Sequence, residues 1–321
     1  MKAPASACAL RVAVIGVGYL GRIHAQKYLE IPEVTLVGVS DNRVDTGREI
    51  AASCGVEFFE DPRALLGRID AVTIATSTPA HYEIAKLFLQ HDVHVFVEKP
   101  LTTTSAEAQE LTAYAERTGL KLQVGHVERF NPALLSARDK LGAVRFIECH
   151  RLAPFKARGA DVDVVLDLMI HDLDVILSLI DGQPTTVSAV GICVLTDNVD
   201  IANARIEFDT GAIANVTASR VSMSAQRKFR VFQRNQYLSI DFGNGEVQLV
   251  THAAGSLADS SSLKEQRWNL EKGDALLAEV KAFVKSIRDD EPCVVGGRDG
   301  VAALRLAESI LAEIKRREFS S

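Results

Sequence analysis

Between Arg11 and Val124, short apolar runs alternate with stretches whose apolar residues recur three and four positions apart. Arg11 to Ile15 reads as a buried strand, Gly21 to Glu30 as a helix and Thr35 to Ser40 as the next strand. A helix near Asp45 to Cys54, a short strand Val56 to Phe59, a helical turn after Asp61-Pro62 and a strand Asp70 to Thr76 continue the rhythm. A helix Pro79 to Gln90, a strand Val93 to Val97, a helix Ser105 to Thr118 and a strand Lys121 to Val124 complete it. Repeated strand–helix units predict an α/β fold with a doubly wound parallel sheet, since parallel neighbours need a crossover and a helix usually supplies it.

Past Gly125 the pattern changes. Helical stretches at Pro132 to Lys140 and Val164 to Ile180 give way to extended runs at Phe146 to Leu152, Val187 to Leu195, Ala202 to Phe208, Ala212 to Ser219, Lys228 to Arg234, Tyr237 to Phe242 and Val247 to Val250. Turns such as Asp209-Thr210-Gly211 and Gly243-Asn244-Gly245 separate consecutive runs as hairpins require. This half is expected to be α+β with a largely antiparallel open sheet. Ala253 to Ser262, rich in Ser and Ala, reads as a mobile loop, and Asp274 to Arg288 and Arg298 to Arg317 as closing amphipathic helices. The predicted domains are therefore 1–124 and 125–321, in keeping with a length of 321 residues.

Charge and cysteine usage narrow the classes. Lys plus Arg is 36 against 42 for Asp plus Glu, a net charge of −6 that argues against a nucleic-acid surface. No apolar run reaches the roughly 18 residues of a membrane span, and Met1 to Leu10 lacks a signal-peptide core, so a soluble, cytoplasmic protein is expected. Cys8, Cys54, Cys149, Cys193 and Cys293 are scattered and read as reduced. His91 and His94 form a close pair with no third ligand nearby, so no metal site is expected.

Gly16-Val17-Gly18-Tyr19-Leu20-Gly21 lies between the first strand and the first helix, where a GxGxxG turn binds a dinucleotide in a Rossmann fold. Gly16 permits the tight turn, Gly18 lets backbone N–H groups approach a pyrophosphate, and Gly21 lets the helix pack closely. Asp41, 20 residues beyond Gly21, ends the second strand, where a carboxylate accepts ribose hydroxyls and repels a 2′-phosphate. NAD is the expected cofactor, held also by Tyr19, Leu20, Asn42 and Arg43, although Arg43 weakens the preference over NADP.

Glu98-Lys99-Pro100 follows the fifth strand at the edge where open α/β sheets bind ligands. A Lys99 ammonium there can hydrogen-bond a substrate hydroxyl and stabilise a developing alkoxide. Asp163 to Ile180 reads as an apolar helix on which Asp167, His171 and Asp174 share one face. A polar stripe on so apolar a helix needs partners. Histidine is the residue type best suited to take a proton near neutrality.

Together Gly16-x-Gly18-x-x-Gly21, Thr76-Ser77-Thr78-Pro79-Ala80-His81, Glu98-Lys99-Pro100 and Asp167-x-x-x-His171 resemble, in order and approximate spacing, the signature of the Gfo/Idh/MocA family of sugar and cyclitol dehydrogenases, over about Leu10 to Arg317. The resemblance implies that Lys99 and His171 are catalytic and that Asp167 touches or orients the substrate. It also implies that the substrate lies between the domains over the nicotinamide, with Thr76, Ser77, Thr78, Pro79, His81, Glu98 and Lys99 on the cofactor side. A homo-oligomer, dimer or tetramer, built through the C-terminal sheet follows by the same resemblance.

Gly125-His126-Val127-Glu128-Arg129-Phe130-Asn131-Pro132 is similar to the segment found in family members that oxidise nucleotide-linked N-acetylhexosamines at C3, feeding amino-sugar, lipid A or surface-polysaccharide synthesis. Arg129 and Asn131 offer a charged donor and an amide for a diphosphate or acetamido group of a UDP-sugar, alongside the basic residues between Arg151 and Arg158. A salt bridge made locally by Arg129 is the competing reading. A UDP-N-acetylglucosamine substrate and a PLP-dependent transaminase acting downstream are the implied partners. The alternatives are a dehydrogenase of a free sugar, inositol or other small polyol, and a nucleotide sensor that performs no chemistry.

Overall fold

The computed structural model describes residues 9–156, 159, 162–252, 263–271 and 273–318. The chain divides into two compact units, residues 1–126 with 276–301, and residues 127–275 with 302–321.

The first unit is built on β1 (Leu10–Ile15), β2 (Val34–Ser40), β3 (Glu57–Phe59), β4 (Ala71–Ile74), β5 (His94–Glu98) and β6 (Leu122–Gly125). They form one six-stranded sheet in the order β3-β2-β1-β4-β5-β6, every pairing parallel. This doubly wound order reverses direction between β1 and β4, which opens a crevice at the strands' C-terminal ends. Helices α1 (Tyr19–Leu29), α2 (Val44–Cys54), α3 (His81–Leu89) and α4 (Ser105–Thr118) make the crossovers. The limits of α4 are written in its ends: Thr104 and Glu107 form a reciprocal capping box, and Gly119 takes the left-handed conformation that stops it.

The second unit carries an eight-stranded sheet of β7 (Val144–Leu152), β8 (Pro184–Ile192), β9 (Ile201–Phe208), β10 (Ile213–Ser219), β11 (Gln226–Gln233), β12 (Gln236–Asp241), β13 (Glu246–His252) and β14 (Leu263–Asn269). Its order is β14-β13-β12-β11-β7-β10-β9-β8, antiparallel throughout except for the parallel pair β7 and β10. Strand alternation sends Ala204, Ile206, Val216, Phe229, Val231, Leu238 and Ile240 into a core shared with α5 (Pro132–Arg138) and α6 (Ile170–Leu179). The opposite face presents Phe146, Glu148, Asn215, Arg230, Phe232 and Tyr237. The strand β14 lies beyond the last extended run read from the sequence, and the Ala253 to Ser262 loop falls outside the described residues. Its near-continuous polar sequence, Lys264-Glu265-Gln266-Arg267, hides the alternation that marks the other strands.

After β14 come α7 (Ala275–Arg288) and α8 (Gly297–Glu318). The sequence reading places both in the second domain, but the first unit takes α7 and the first turn of α8, and begins the second unit at Val127 rather than Gly125. The cause is packing: Val280, Phe283 and Val284 are buried with Val12, Val14 and Phe96, and the Phe283 ring meets Phe96 edge-on at 5.7 Å. Gln123 of β6 also donates to the Glu279 carbonyl at 3.1 Å. The rest of α8 contributes Leu306, Ala307, Ile310 and Ile314 to the second core.

Candidate active site

In the first unit a cavity of about 400 Å³ opens beside β1, lined by Gly16, Gly18, Asp41, Asn42, Arg43, Glu60, Thr76 and Ser77 among others. Gly16 has φ of +80°, and a Cβ on it would stand 2.7 Å from the Thr76 backbone nitrogen. On Gly21 a Cβ would be 1.8 Å from the Gly16 carbonyl oxygen, so only glycine lets α1 start this close to the turn. No side chain caps α1 at Gly18, and a helix start of this kind is suited to a phosphate. Asp41 is buried and shapes the loop itself: Oδ2 accepts the Val17 N–H and Oδ1 the Arg43 N–H, both at 2.8 Å. The exposed Arg43 guanidinium stands 3.5 Å from that carboxylate. Glycines that cannot carry a side chain, an uncapped helix start and an acid at the strand tip together fit a dinucleotide. Tyr19 and Leu20 open α1, with Tyr19 mostly exposed and the Arg22 guanidinium 5.3 Å from its ring centre.

Lys99 is half-buried just past β5, followed by a cis peptide bond to the buried Pro100. Its neighbour Glu98 is turned inward, with Oε1 2.7 Å from His24 Nε2 and Oε2 accepting the Lys99 N–H at 3.2 Å. These bonds give Glu98 an internal role at the Lys99 turn. Thr78 and Pro79 form a single helical turn ahead of α3. His81 is buried, with Nδ1 2.9 Å from the Pro100 carbonyl and Nε2 3.1 Å from the Thr76 carbonyl. Burial pushes its imidazole below the usual range, against the pull of those carbonyls. Its ring therefore joins the two motif segments from behind.

In the second unit, the stretch expected as one helix begins with a π turn, Val165–Met169, and becomes α-helical at Ile170. Asp167 sits in that widened turn and His171 in the first turn of α6, both half-buried. Gly159, with φ of +80°, packs so closely that a Cβ on it would be 3.0 Å from Asp167 Oδ2. The expected stripe of three divides here, because Asp174 is buried and bonded elsewhere. Arg129 donates to it from Nε at 2.8 Å and Nη2 at 3.2 Å. Beside this pair Arg151 donates Nε and Nη2 to Asp172 at 2.8 and 2.9 Å and Nη1 to Glu128 at 2.9 Å. Burial would strip the Arg151 charge, but the two carboxylates hold it protonated.

These partners correct the expectation that Arg129 and Asn131 meet a diphosphate or acetamido group. Arg129 is the local salt bridge, and the Asn131 side chain caps α5, accepting the Ala133 N–H at 3.0 Å and donating to Glu128 at 3.0 Å. Arg151 is spent in the same network, while Arg158 falls outside the described residues. His24, Glu128 and Asp172 went unread in the sequence. A spacing of three residues from Gly21 to His24 was the available signal for His24; for the carboxylates there was none, since ion-pair partners distant in sequence carry no periodicity.

Residues 10–126 match the model of an oxidoreductase family with an NAD-binding Rossmann fold, and residues 135–238 match the GFO/IDH/MocA C-terminal domain. The UDP-N-acetylglucosamine 3-dehydrogenase of Acidithiobacillus ferrooxidans is 39% identical over 312 residues, 96% of this chain and 99% of that protein. This chain belongs to the Gfo/Idh/MocA oxidoreductase family. A solved structure of the Acidithiobacillus enzyme superposes with a TM-score of 0.91, covering 97% of this chain and 99% of that one at 38% identity. The myo-inositol 2-dehydrogenase of Thermotoga maritima is 27% identical over 92% of this chain and 94% of its own length. The scyllo-inositol dehydrogenase of Lactobacillus casei, solved with NAD(H) and scyllo-inositol, shares the fold with a TM-score of 0.80 over 96% of this chain and 98% of that one at 20% identity. The protein is thus an NAD-binding oxidoreductase of a family of sugar and cyclitol dehydrogenases.

Proposed function

We propose that this protein oxidises the C3 hydroxyl of UDP-N-acetylglucosamine to the 3-keto sugar. The observation that carries the reading is the near full-length likeness, at 39% identity, to an enzyme named for that reaction. Gly16, Gly18 and the start of α1 would hold the cofactor's pyrophosphate and Asp41 its ribose. Bound there, NAD supplies a hydride acceptor at nicotinamide C4. His171 takes the hydroxyl proton, Lys99 steadies the oxygen as it becomes a carbonyl, and Asp167 orients the sugar or His171. Hydride and proton leave together as the equivalent of two hydrogens, so no further oxidant is needed.

Because Arg129, Asn131 and Arg151 donate to carboxylates inside the second unit, other groups are the better candidates to recognise the nucleotide. The likeness to myo-inositol 2-dehydrogenase keeps oxidation of a small polyol as the second reading. The deciding experiment mixes purified protein with NAD and, in parallel, UDP-N-acetylglucosamine, other UDP-sugars, free sugars and inositols, and follows reduced cofactor at 340 nm. Turnover of inositol with no turnover of any UDP-sugar rejects the first reading. Addition of a PLP-dependent transaminase and an amino donor should draw the reaction forward by consuming the ketone.

We also infer a homo-oligomer, dimer or tetramer, closed through the outer face of the eight-stranded sheet, working in the cytoplasm where NAD is held. Phe146, Phe232 and Tyr237 make a continuous aromatic row on that face, with centroids 5.4 and 5.1 Å apart. Val190 and Ile192 on the edge strand β8 are 49% and 57% exposed. Light scattering at micromolar concentration tests it, with Phe232→Asp expected to give a monomer. A monomeric unmodified protein rejects it.

A further inference from the structure

The turn that carries Lys99 is gripped from two sides by buried histidines. His24, on the buried face of α1, has no solvent exposure, and its ring meets Phe96 of β5 edge-on at 5.1 Å. Its Nε2 reaches Glu98 Oε1 at 2.7 Å, and Glu98 in turn accepts the Lys99 N–H through Oε2 at 3.2 Å. Gly125, at the end of β6, makes the room: a Cβ there would stand 2.8 Å from Glu98 Oε2. From the other side His81 reaches the Pro100 carbonyl at 2.9 Å. Glu98 is 6% exposed, so its carboxylate depends on these few partners.

We infer that His24 and Glu98 are positioning residues for Lys99: the His24 imidazole fixes the Glu98 carboxylate, and the carboxylate fixes the backbone of the residue whose amine faces the substrate. A pair that merely joined α1 to β5 would have no need to spend its second oxygen on the Lys99 N–H. The chain of contact also starts three residues past the last glycine of the nucleotide turn, so the element that would grip the cofactor and the one that presents the amine are held in one register. The inference rests on the reading of Lys99 as catalytic.

The test measures kcat, NAD affinity and thermal stability for His24→Leu, His24→Gln and Glu98→Gln, each alone and in a Lys99→Ala background. His24→Leu should lower kcat roughly 10- to 100-fold, the scale of a displacement near 1 Å in a reacting group. NAD affinity by fluorescence quenching should hold within about twofold, and His24→Gln, which keeps a donor, should recover most of the rate. In the Lys99→Ala background His24→Leu should cost nothing further, because both changes remove the same contribution. A second readout needs no turnover: the Lys99 resonance of protein reductively methylated with ¹³C should shift in His24→Leu and in Glu98→Gln. If His24→Leu does not fold, Glu98→Gln decides by the same shift. Unchanged kcat, an equal loss in both backgrounds, or an unmoved Lys99 resonance overturns the inference. Full turnover by Lys99→Ala alone instead overturns the role given to Lys99.

Discussion

Arg129 and Asp174 form a two-point ion pair in the core of the second unit, 2.8 and 3.2 Å between donor and acceptor, with side chains 6% and 1% exposed. Geometry of this kind leaves the guanidinium's fork facing a carboxylate rather than a ligand.

Arg129→Ala should therefore act on stability first. Removing one partner of a buried pair strands the other charge, at a cost of about 3 to 5 kcal/mol in urea unfolding. The double replacement Arg129→Met with Asp174→Leu should recover most of it. A variant of normal stability with a raised KM for the sugar would return Arg129 to the substrate site.

We propose that Asp41 sets the choice of cofactor by repelling a 2′-phosphate. Asp41→Ala should narrow the preference for NAD over NADP by on the order of tenfold in Kd, measured by titration of cofactor fluorescence. Arg43→Ala should weaken NADP more than NAD, because the exposed guanidinium 3.5 Å from Asp41 is the nearby cation. Equal binding of both cofactors by the unmodified protein would remove this role.

Replacing His171 with Ala should lower kcat roughly 10²-fold or more with NAD affinity unchanged, the scale of a lost general base. Lys99→Ala should lose a similar factor as oxyanion stabilisation disappears. Pre-steady-state bursts of reduced cofactor separate the chemical step from release. Near-normal turnover by the His171 variant would move the base to Asp167 or a water.

Asp200 predicts the acid limit of the second unit. Burial raises its carboxyl, but the N–H groups of Leu195, Thr196 and Val194 and the Thr196 hydroxyl outweigh burial and hold it at about 2. With an unfolded value near 3.9, the depressed group contributes roughly 2 to 3 kcal/mol above that pH. The contribution is lost as pH falls from about 4 towards about 2. Urea unfolding at stepped pH should give Asp200→Asn a shallower decline over that window than the unmodified protein, and equal slopes would contradict the assignment.

Most of the architecture was legible in the sequence, because burial on both faces writes parallel strands such as Val12 to Ile15 as apolar runs and burial on one face writes antiparallel ones such as Ile201 to Phe208 as alternation. The nucleotide turn was legible for a different reason: Gly16 and Gly21 occupy places where a Cβ would collide with backbone, and a local constraint of that kind leaves its mark at the position itself. Identity and spacing alone also carried the Lys99 and Asp167/His171 motifs.

What the tertiary structure decided was partnership. Periodicity predicts that α7 has an apolar face but cannot say which core receives Phe283, and the answer, Phe96 of the first unit, moves the domain boundary. Arg129 likewise has two readings as a sequence, and the partner it meets in the fold, Asp174, stands 45 residues away. His24 and Glu98 stand 74 residues apart, and the π turn beneath Asp167 arises where a continuous helix was expected. The Phe283, Asp174 and Glu98 contacts each join segments far apart in the chain, and the strength of such a contact is set by distance and desolvation, neither of which the order of residues records.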